Sequence, residues 1–221
     1  MLRAIIVSSL GMLFAACLNI GAANARVQDD VDQAVTIIER FQAIPEKAIP
    51  DLVLRNAKGL AILTVTKAGF IGRGGSGIVV ARTGNGWSGP SAIGTGGLGV
   101  GFQAGVEITE FVIVLNTQKA VDAFAKEGNV TLGANLSAAV GPVGRTAEAN
   151  VALQAAMSTY IISQGLFAGV SLEGAVIAAR DEANAEYYGK PVNAKDILAG
   201  KVRPPAGAGT LLTVLSNYSA R

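Results

Sequence analysis

The chain reads as an α+β fold: a largely antiparallel, glycine-rich sheet with N-terminal, central and C-terminal helices. Three observations lead there. Short β-rich runs separated by glycine clusters fill the centre, and apolar residues at helical spacing recur at both ends and once between. Glycine is frequent, at 28 residues against 5% aromatics, which favours close-approaching strands and tight turns over a bulky aromatic core. With 221 residues, half of them hydrophobic, the sequence supplies one ordinary domain with a sizeable core rather than two. Glycine-lined strands also twist and bend easily, so a barrel-like curl is compatible with the pattern.

Residues 1–25 read as a secretory leader: Arg3, an apolar run from Ala4 through Ile20, then Ala23-Asn24-Ala25 as a small-x-small cleavage site. The single domain is then 26–221. A rival reading makes Leu13-Phe14-Ala15-Ala16-Cys17 a lipobox, with acylation of Cys17, although Phe14 stands where an aliphatic residue is preferred. A third makes the run an uncleaved anchor close to the roughly 20 residues a span needs. All three place the domain outside the cytosol, in the periplasm or at an envelope membrane.

From Gln28 to Gln42, Val31, Ala34, Val35, Ile38 and Phe41 fall on one helical face, with Asp29, Asp30 and Asp32 in the first turn where the helix dipole favours anions. A membrane-surface helix carries Lys and Arg on its polar face, and this one is acidic, so it is expected to pack on its own sheet. Pro45 ends it, and Pro50 opens a short second helix. At Lys58-Gly59 the period changes: Leu60 to Val65 and Gly77 to Ala81 predict a hairpin whose glycine-rich connection, Gly72 to Gly77, carries a basic tip at Arg73. Thr83-Gly84-Asn85-Gly86 predicts a second turn, and Val106 to Leu115 a strong strand. Gly97, Gly99, Gly101 and Gly105 share one parity and would leave a nearly bare strand face. Thr117 to Lys126 reads as a helix and Val130 to Val140 as a small-residue strand. Thr146 to Ala156 is open between helix and strand. Tyr160 to Ser163 and Val170 to Ile177 read as strands, Asp181 to Tyr188 and Ala194 to Leu198 as short helices, and Thr210 to Tyr218 as a terminal helix that closes the core.

The composition narrows function. The formal charge of +2, about +1 without Arg3 of the leader, gives no overall attraction to nucleic acid. There is no histidine, which removes the commonest general base and the usual zinc ligand. No cofactor, metal or catalytic residue is expected. Two GxGxxG matches, Gly72 to Gly77 and Gly94 to Gly99, run into a strand and into more glycine rather than into a helix that could receive a pyrophosphate. Ser171 lies in Gly169-Val170-Ser171-Leu172-Glu173, unlike a nucleophile elbow in its second glycine and without a histidine to take the proton.

Glu107, Glu110 and Glu173 fall inside apolar or small-residue runs. They are expected to pair with Arg82 or Arg145 and fix strand order, with acid-base work as the alternative. The basic set Lys58, Lys67, Arg73, Arg82 and Arg145 borders the glycine-rich connections, where charge and free backbone N–H groups together suit anionic headgroups. The alternative is a set of solvated charges guarding sheet edges. Phe70, Ile71, Leu166 and Phe167 stand beside glycine turns, as core plugs or as loop-tip residues that dip into a bilayer.

One ordered set of segments goes further. Lys67-Ala68-Gly69-Phe70, Gly74-Gly75-Ser76-Gly77, Val80-Ala81-Arg82, Gly101-Phe102-Gln103-Ala104-Gly105-Val106-Glu107, Gly141-Pro142-Val143-Gly144-Arg145 and Gly165 to Gly174 together resemble the SYLF family. The likeness runs from about Ala57 to Leu215. It implies lipid binding: eukaryotic members bind phosphoinositides and fungal members bind and bundle actin, often beside an SH3 domain. For an exported member, actin would be an unlikely partner, and the expected ligand is anionic phospholipid or a related amphiphile. Lys58, Lys67, Phe70, Arg73, Arg82 and Arg145 are its expected contacts. The alternative is a structural protein of the envelope that binds a protein partner.

Overall fold

A computed structural model describes residues 27–68, 72–97, 106–126, 129–131, 138–140, 155–164 and 176–219. Helix α1 (Val27–Ala43) and the short α2 (Asp51–Asn56) lead into strands β1 (Gly59–Ala68), β2 (Gly72–Thr83), β3 (Gly86–Trp87), β4 (Ser91–Gly97) and β5 (Val106–Leu115). Helix α3 (Gln118–Ala125) precedes β6 (Asn129–Thr131), β7 (Ala138–Val140), β8 (Met157–Gln164) and β9 (Val176–Ala179). The chain closes with α4 (Asp181–Tyr188), α5 (Ala194–Leu198), a 3-10 turn at Ala206–Ala208 and α6 (Gly209–Ser219).

Eight strands lie in the order β6-β9-β4-β2-β1-β5-β8-β7, and β3 pairs with the end of β2. Every described pairing is antiparallel except β7 with β8. The expected α+β sheet is therefore present. It is open: among the described residues no ladder joins β6 to β7, so the barrel-like option is not what these strands form.

Strand alternation divides the core into two layers. Leu60, Ile62, Ile78, Val80, Val112, Val114 and Tyr160 face the side covered by α1, α2 and α6. Ala61, Leu63, Val65, Val79, Phe111, Ile113 and Met157 face the other side, where Val121 and Phe124 of α3 and Leu198 of α5 pack. These are the front and back faces below. Val31, Ala34, Ile37, Ile38 and Phe41 of α1 are all buried, so the acidic amphipathic helix packs on its own sheet as its composition predicts. Thr117 caps α3 by accepting from the Ala120 N–H at 3.1 Å, and Asn193 caps α5 by accepting from the Asp196 N–H at 2.8 Å.

Two sequence expectations need correction. Gly72 to Gly77 is not a loop: it is the first half of β2, paired residue for residue with Val106's neighbour strand β1 from Ala68 to Leu63. Glycine-rich sequence reads as a turn locally, but here the partner strand decides. At Gly77 a Cβ would meet Ile62 O and stand 2.6 Å from Leu63 Cα, so the two strands approach closely because a side chain is missing. Second, Val130 to Val140 yields two short strands, with 132–137 outside the described residues. Of the strand expected over Val170 to Ile177, residues 170–175 lie outside the described residues, and Val176–Ala179 is a strand.

Candidate functional site

The register arranges the polar residues into rows across the sheet. Ser76, Thr64 and Glu110 are directly opposed across β2, β1 and β5 and lie on the front face. Helix α1 crosses this row and binds it at both sides. On the β2 side, Ser76 Oγ donates to Asp30 Oδ1 at 2.6 Å, and Arg180 Nη1, just after β9, donates to Asp30 Oδ2 at 3.0 Å. Burial pushes the Asp30 carboxyl up to about 6, with Ser76 and Arg180 opposing that rise only in part. On the β5 side, Glu110 Oε1 accepts from Arg40 Nη1 in an ion pair and from Gln33 Nε2 at 3.3 Å. Glu110 Oε2 and Thr64 Oγ1 have no hydrogen-bond partner among the described residues.

One row further along the strands the helix layer ends. Thr66 opposes Gly74 and Ile108, and Gly74 opposes Gly96. Thr66 is exposed and Ile108 is 42% exposed, although Glu110, two residues on, is 2% exposed. The adjoining back-face row holds Gly97, Arg73, Lys67 and Glu107 at directly opposed positions. Glu107 is buried and its Oε1 has no hydrogen-bond partner among the described residues, and the same holds for Oγ1 of Thr109 on that face.

The predicted basic set is thus split by the fold. Lys67 and Arg73 oppose each other at one end of the β1–β2 hairpin. Lys58 and Arg82 meet at the other end, where the Arg82 N–H donates to Lys58 O at 2.7 Å. Nine residues of strand separate Lys58 from Lys67, roughly 30 Å. Lys58 is exposed, whereas the Arg82 guanidinium lies 4.1 Å from the centre of the Trp87 ring and burial pushes its pKa down. Arg82 is therefore a packing residue as well as a charge. Phe70 and Arg145 lie outside the described residues, as do Glu173, Ser171, Ile71, Leu166 and Phe167. The carboxylate pairing is corrected: among the described residues the partner of Glu110 is Arg40 of α1 rather than Arg82.

The described strands that flank 69–71, 98–105 and 165–175 all end beside Lys67 and Arg73. β1 and β2 end there at Ala68 and Gly72, β4 and β5 at Gly97 and Val106, and β8 and β9 at Gln164 and Val176. Three of the sequence segments that carried the resemblance therefore attach to one end of one sheet. Sequence reasoning missed Asp30, Ser76, Arg40 and Arg180 as the ties between helix and sheet. The acidic first turn pointed to the helix dipole, and only the fold shows that Asp30 turns inward. Among the described residues no group of three or more His, Cys, Asp or Glu could hold a metal ion, and no helix is long and apolar enough to cross a membrane.

Comparison with known proteins assigns the family. The family model Ysc84, described as "Las17-binding protein actin regulator", matches residues 96–218. The human SH3 domain-containing YSC84-like protein 1 is 50% identical over 207 residues, covering 89% of this chain and 60% of that protein. Its Xenopus laevis counterpart is 46% identical over 208 residues, covering 89% and 62%. LAS seventeen-binding protein 3 of Saccharomyces cerevisiae is 50% identical over 179 residues, covering 78% and 39%. The chain thus spans about 60% of the length of its vertebrate relatives and less of the yeast one. With more than half of its residues matched, the chain belongs to the Ysc84, or SYLF, family.

Proposed function

We propose that this chain is a non-enzymatic binding protein that docks on membranes rich in anionic phospholipid, through the sheet end that holds Lys67 and Arg73. The register carries the reading: two cationic residues occupy directly opposed positions beside strand ends lined by glycine. Like charges directly opposed are destabilising. Glu107, opposed to Lys67 on its other flank, offsets part of that repulsion, and a phosphate beside Arg73 and Lys67 lowers it further and gains charge-assisted hydrogen bonds. The neighbouring Gly72, Gly74, Gly96 and Gly97 lower the steric barrier to a headgroup near the backbone.

The full chain should pellet with vesicles containing phosphatidylglycerol, and the binding should weaken several-fold as salt is raised from low to physiological ionic strength. Binding to neutral phosphatidylcholine vesicles of equal strength would contradict the reading. The proposal extends to export: N-terminal sequencing of the purified protein should begin at Arg26. A start at an acylated Cys17 would replace the cleaved leader with a lipid anchor.

A second reading rests on the description of the family model as a Las17-binding actin regulator. Under it, the same surface docks a protein, with actin or a Las17-like chain as the partner. Co-sedimentation with actin filaments in the absence of lipid supports that reading, and filaments that leave the protein in the supernatant argue against its actin form.

A further inference from the structure

We infer that Ile108 is an apolar membrane-contact residue, and that the sheet end meets an anionic bilayer with its front face toward the acyl chains and its back-face cations among the phosphates. This rests on the lipid-docking reading and adds the depth and orientation of contact. Ile108 and Leu52 are the exposed large hydrophobic residues among those described, at 42% and 39%. They differ in setting. Leu52 stands on the short helix α2, away from the basic row, whereas Ile108 sits one strand position from the row of Arg73, Lys67 and Glu107.

The local architecture explains why Ile108 is bare. Helix α1 covers the front face as far as the row of Ser76, Thr64 and Glu110, and the polar contacts of its Asp30, Gln33 and Arg40 to Ser76 and Glu110 mark that boundary. Ile108 lies two residues past Glu110, about 7 Å further toward the sheet end. Across the strands from it, Thr66 is exposed and Gly74 and Gly96 carry no side chain, so the sheet leaves this flank of Ile108 open, while Gln164 of β8 is its partner on the other flank. The front-face row at this end places Ile108 between Thr66 and Gln164, next to two glycines, and the next row, on the back face, holds Lys67 and Arg73 beside Glu107. Opposite the cations an anionic surface is the complementary partner, and beside them an isoleucine gains by entering the acyl boundary. The apolar face of α1 is already buried in the core, so the helix does not supply this contact without leaving the sheet.

The two contributions separate by salt. An apolar contact is insensitive to ionic strength, whereas contacts to phosphate weaken with it. Binding of the full chain to phosphatidylglycerol-containing vesicles should fall about five- to tenfold for Ile108→Ser at every salt concentration, leaving the slope against salt unchanged. Lys67→Ala and Arg73→Ala should flatten that slope, and Leu52→Ser should match the wild type. As a second readout, Ile108→Trp should blue-shift on binding and be quenched by lipids brominated along the acyl chain, while buried Trp87 supplies a constant background. Thermal melts of Ile108→Ser and Ile108→Trp verify that both fold. If Ile108→Ser binds like wild type while Lys67→Ala weakens binding, the insertion is wrong and headgroup docking stands. If the wild type binds no vesicle, docking itself fails. If Ile108→Ser leaves vesicle binding intact but dissociates a dimer in solution, the patch belongs to a second copy of the chain.

Discussion

Asp30 on the first described helix accepts a hydrogen bond from Arg180 at 3.0 Å across 150 residues of chain, while Ser76 of β2 donates to its other oxygen. These contacts join α1, the hairpin and the segment after β9, and they bury a carboxylate to do so. The burial sets a pH dependence whose sign can be worked out.

The Asp30 carboxyl is raised from 3.8 to about 6 in the folded chain. The folded state thus binds its proton more tightly than the unfolded state, and the charged form at neutral pH works against stability. As pH falls from 7 through 6 toward 4, that penalty is relieved. A rise of this size corresponds to about 3 kcal/mol at most, at roughly 1.4 kcal/mol per tenfold change in proton affinity. Denaturant unfolding from pH 7 to pH 4.5 should show a stability difference between wild type and Asp30→Asn that shifts in favour of the wild type as pH falls. A difference that is flat with pH would show that Asp30 titrates normally.

Arg40 and Glu110 form the second tie between α1 and the sheet. Removing one partner strands a buried charge, a loss of about 3 to 5 kcal/mol for fully buried pairs. Arg40 is one-third exposed, so Arg40→Ala should cost about 2 kcal/mol. The double variant Arg40→Met with Glu110→Gln should recover most of that loss. A double-mutant cycle by urea unfolding measures the coupling, and additive losses would mean that the pair contributes nothing beyond its separate side chains.

Gly77→Ala should destabilise the fold by about 2 kcal/mol or more, because its Cβ would press on the β1 backbone at Leu63. Gly84→Ala is the control: no atom lies within 4 Å of the added carbon there. Thermal melting compares them directly. Equal melting temperatures would show that β1 and β2 can separate without loss.

Much of this fold is legible in the sequence where the signal is local. Helical spacing from Val31 to Phe41 locates α1, Thr117 marks the start of α3, and the apolar run Val106 to Leu115 is β5. What escapes is whatever depends on a distant partner. Gly72 to Gly77 resembles a loop until β1 pairs with it, and β4 lies between β2 and β9 through contacts no local pattern announces. The basic residues were identifiable by type, but their grouping needed the register. Only the hairpin alignment shows that Lys67 meets Arg73 while Lys58 lies near Arg82 at the opposite end. Likewise, Glu110 reads as a buried carboxylate from its neighbours, yet its partner comes from a helix seventy residues away.

The central claim is that anionic membranes meet the Lys67–Arg73 end of the sheet, and the most direct measurement compares its two ends. Vesicle affinity of the full chain would be titrated for Lys67→Ala with Arg73→Ala and, separately, for Lys58→Ala, on phosphatidylglycerol vesicles at low and physiological salt. The account predicts at least a tenfold loss for the Lys67 and Arg73 pair at low salt, with a reduced salt slope, and near wild-type binding for Lys58→Ala. Equal losses at both ends, or a loss confined to Lys58→Ala, would contradict it.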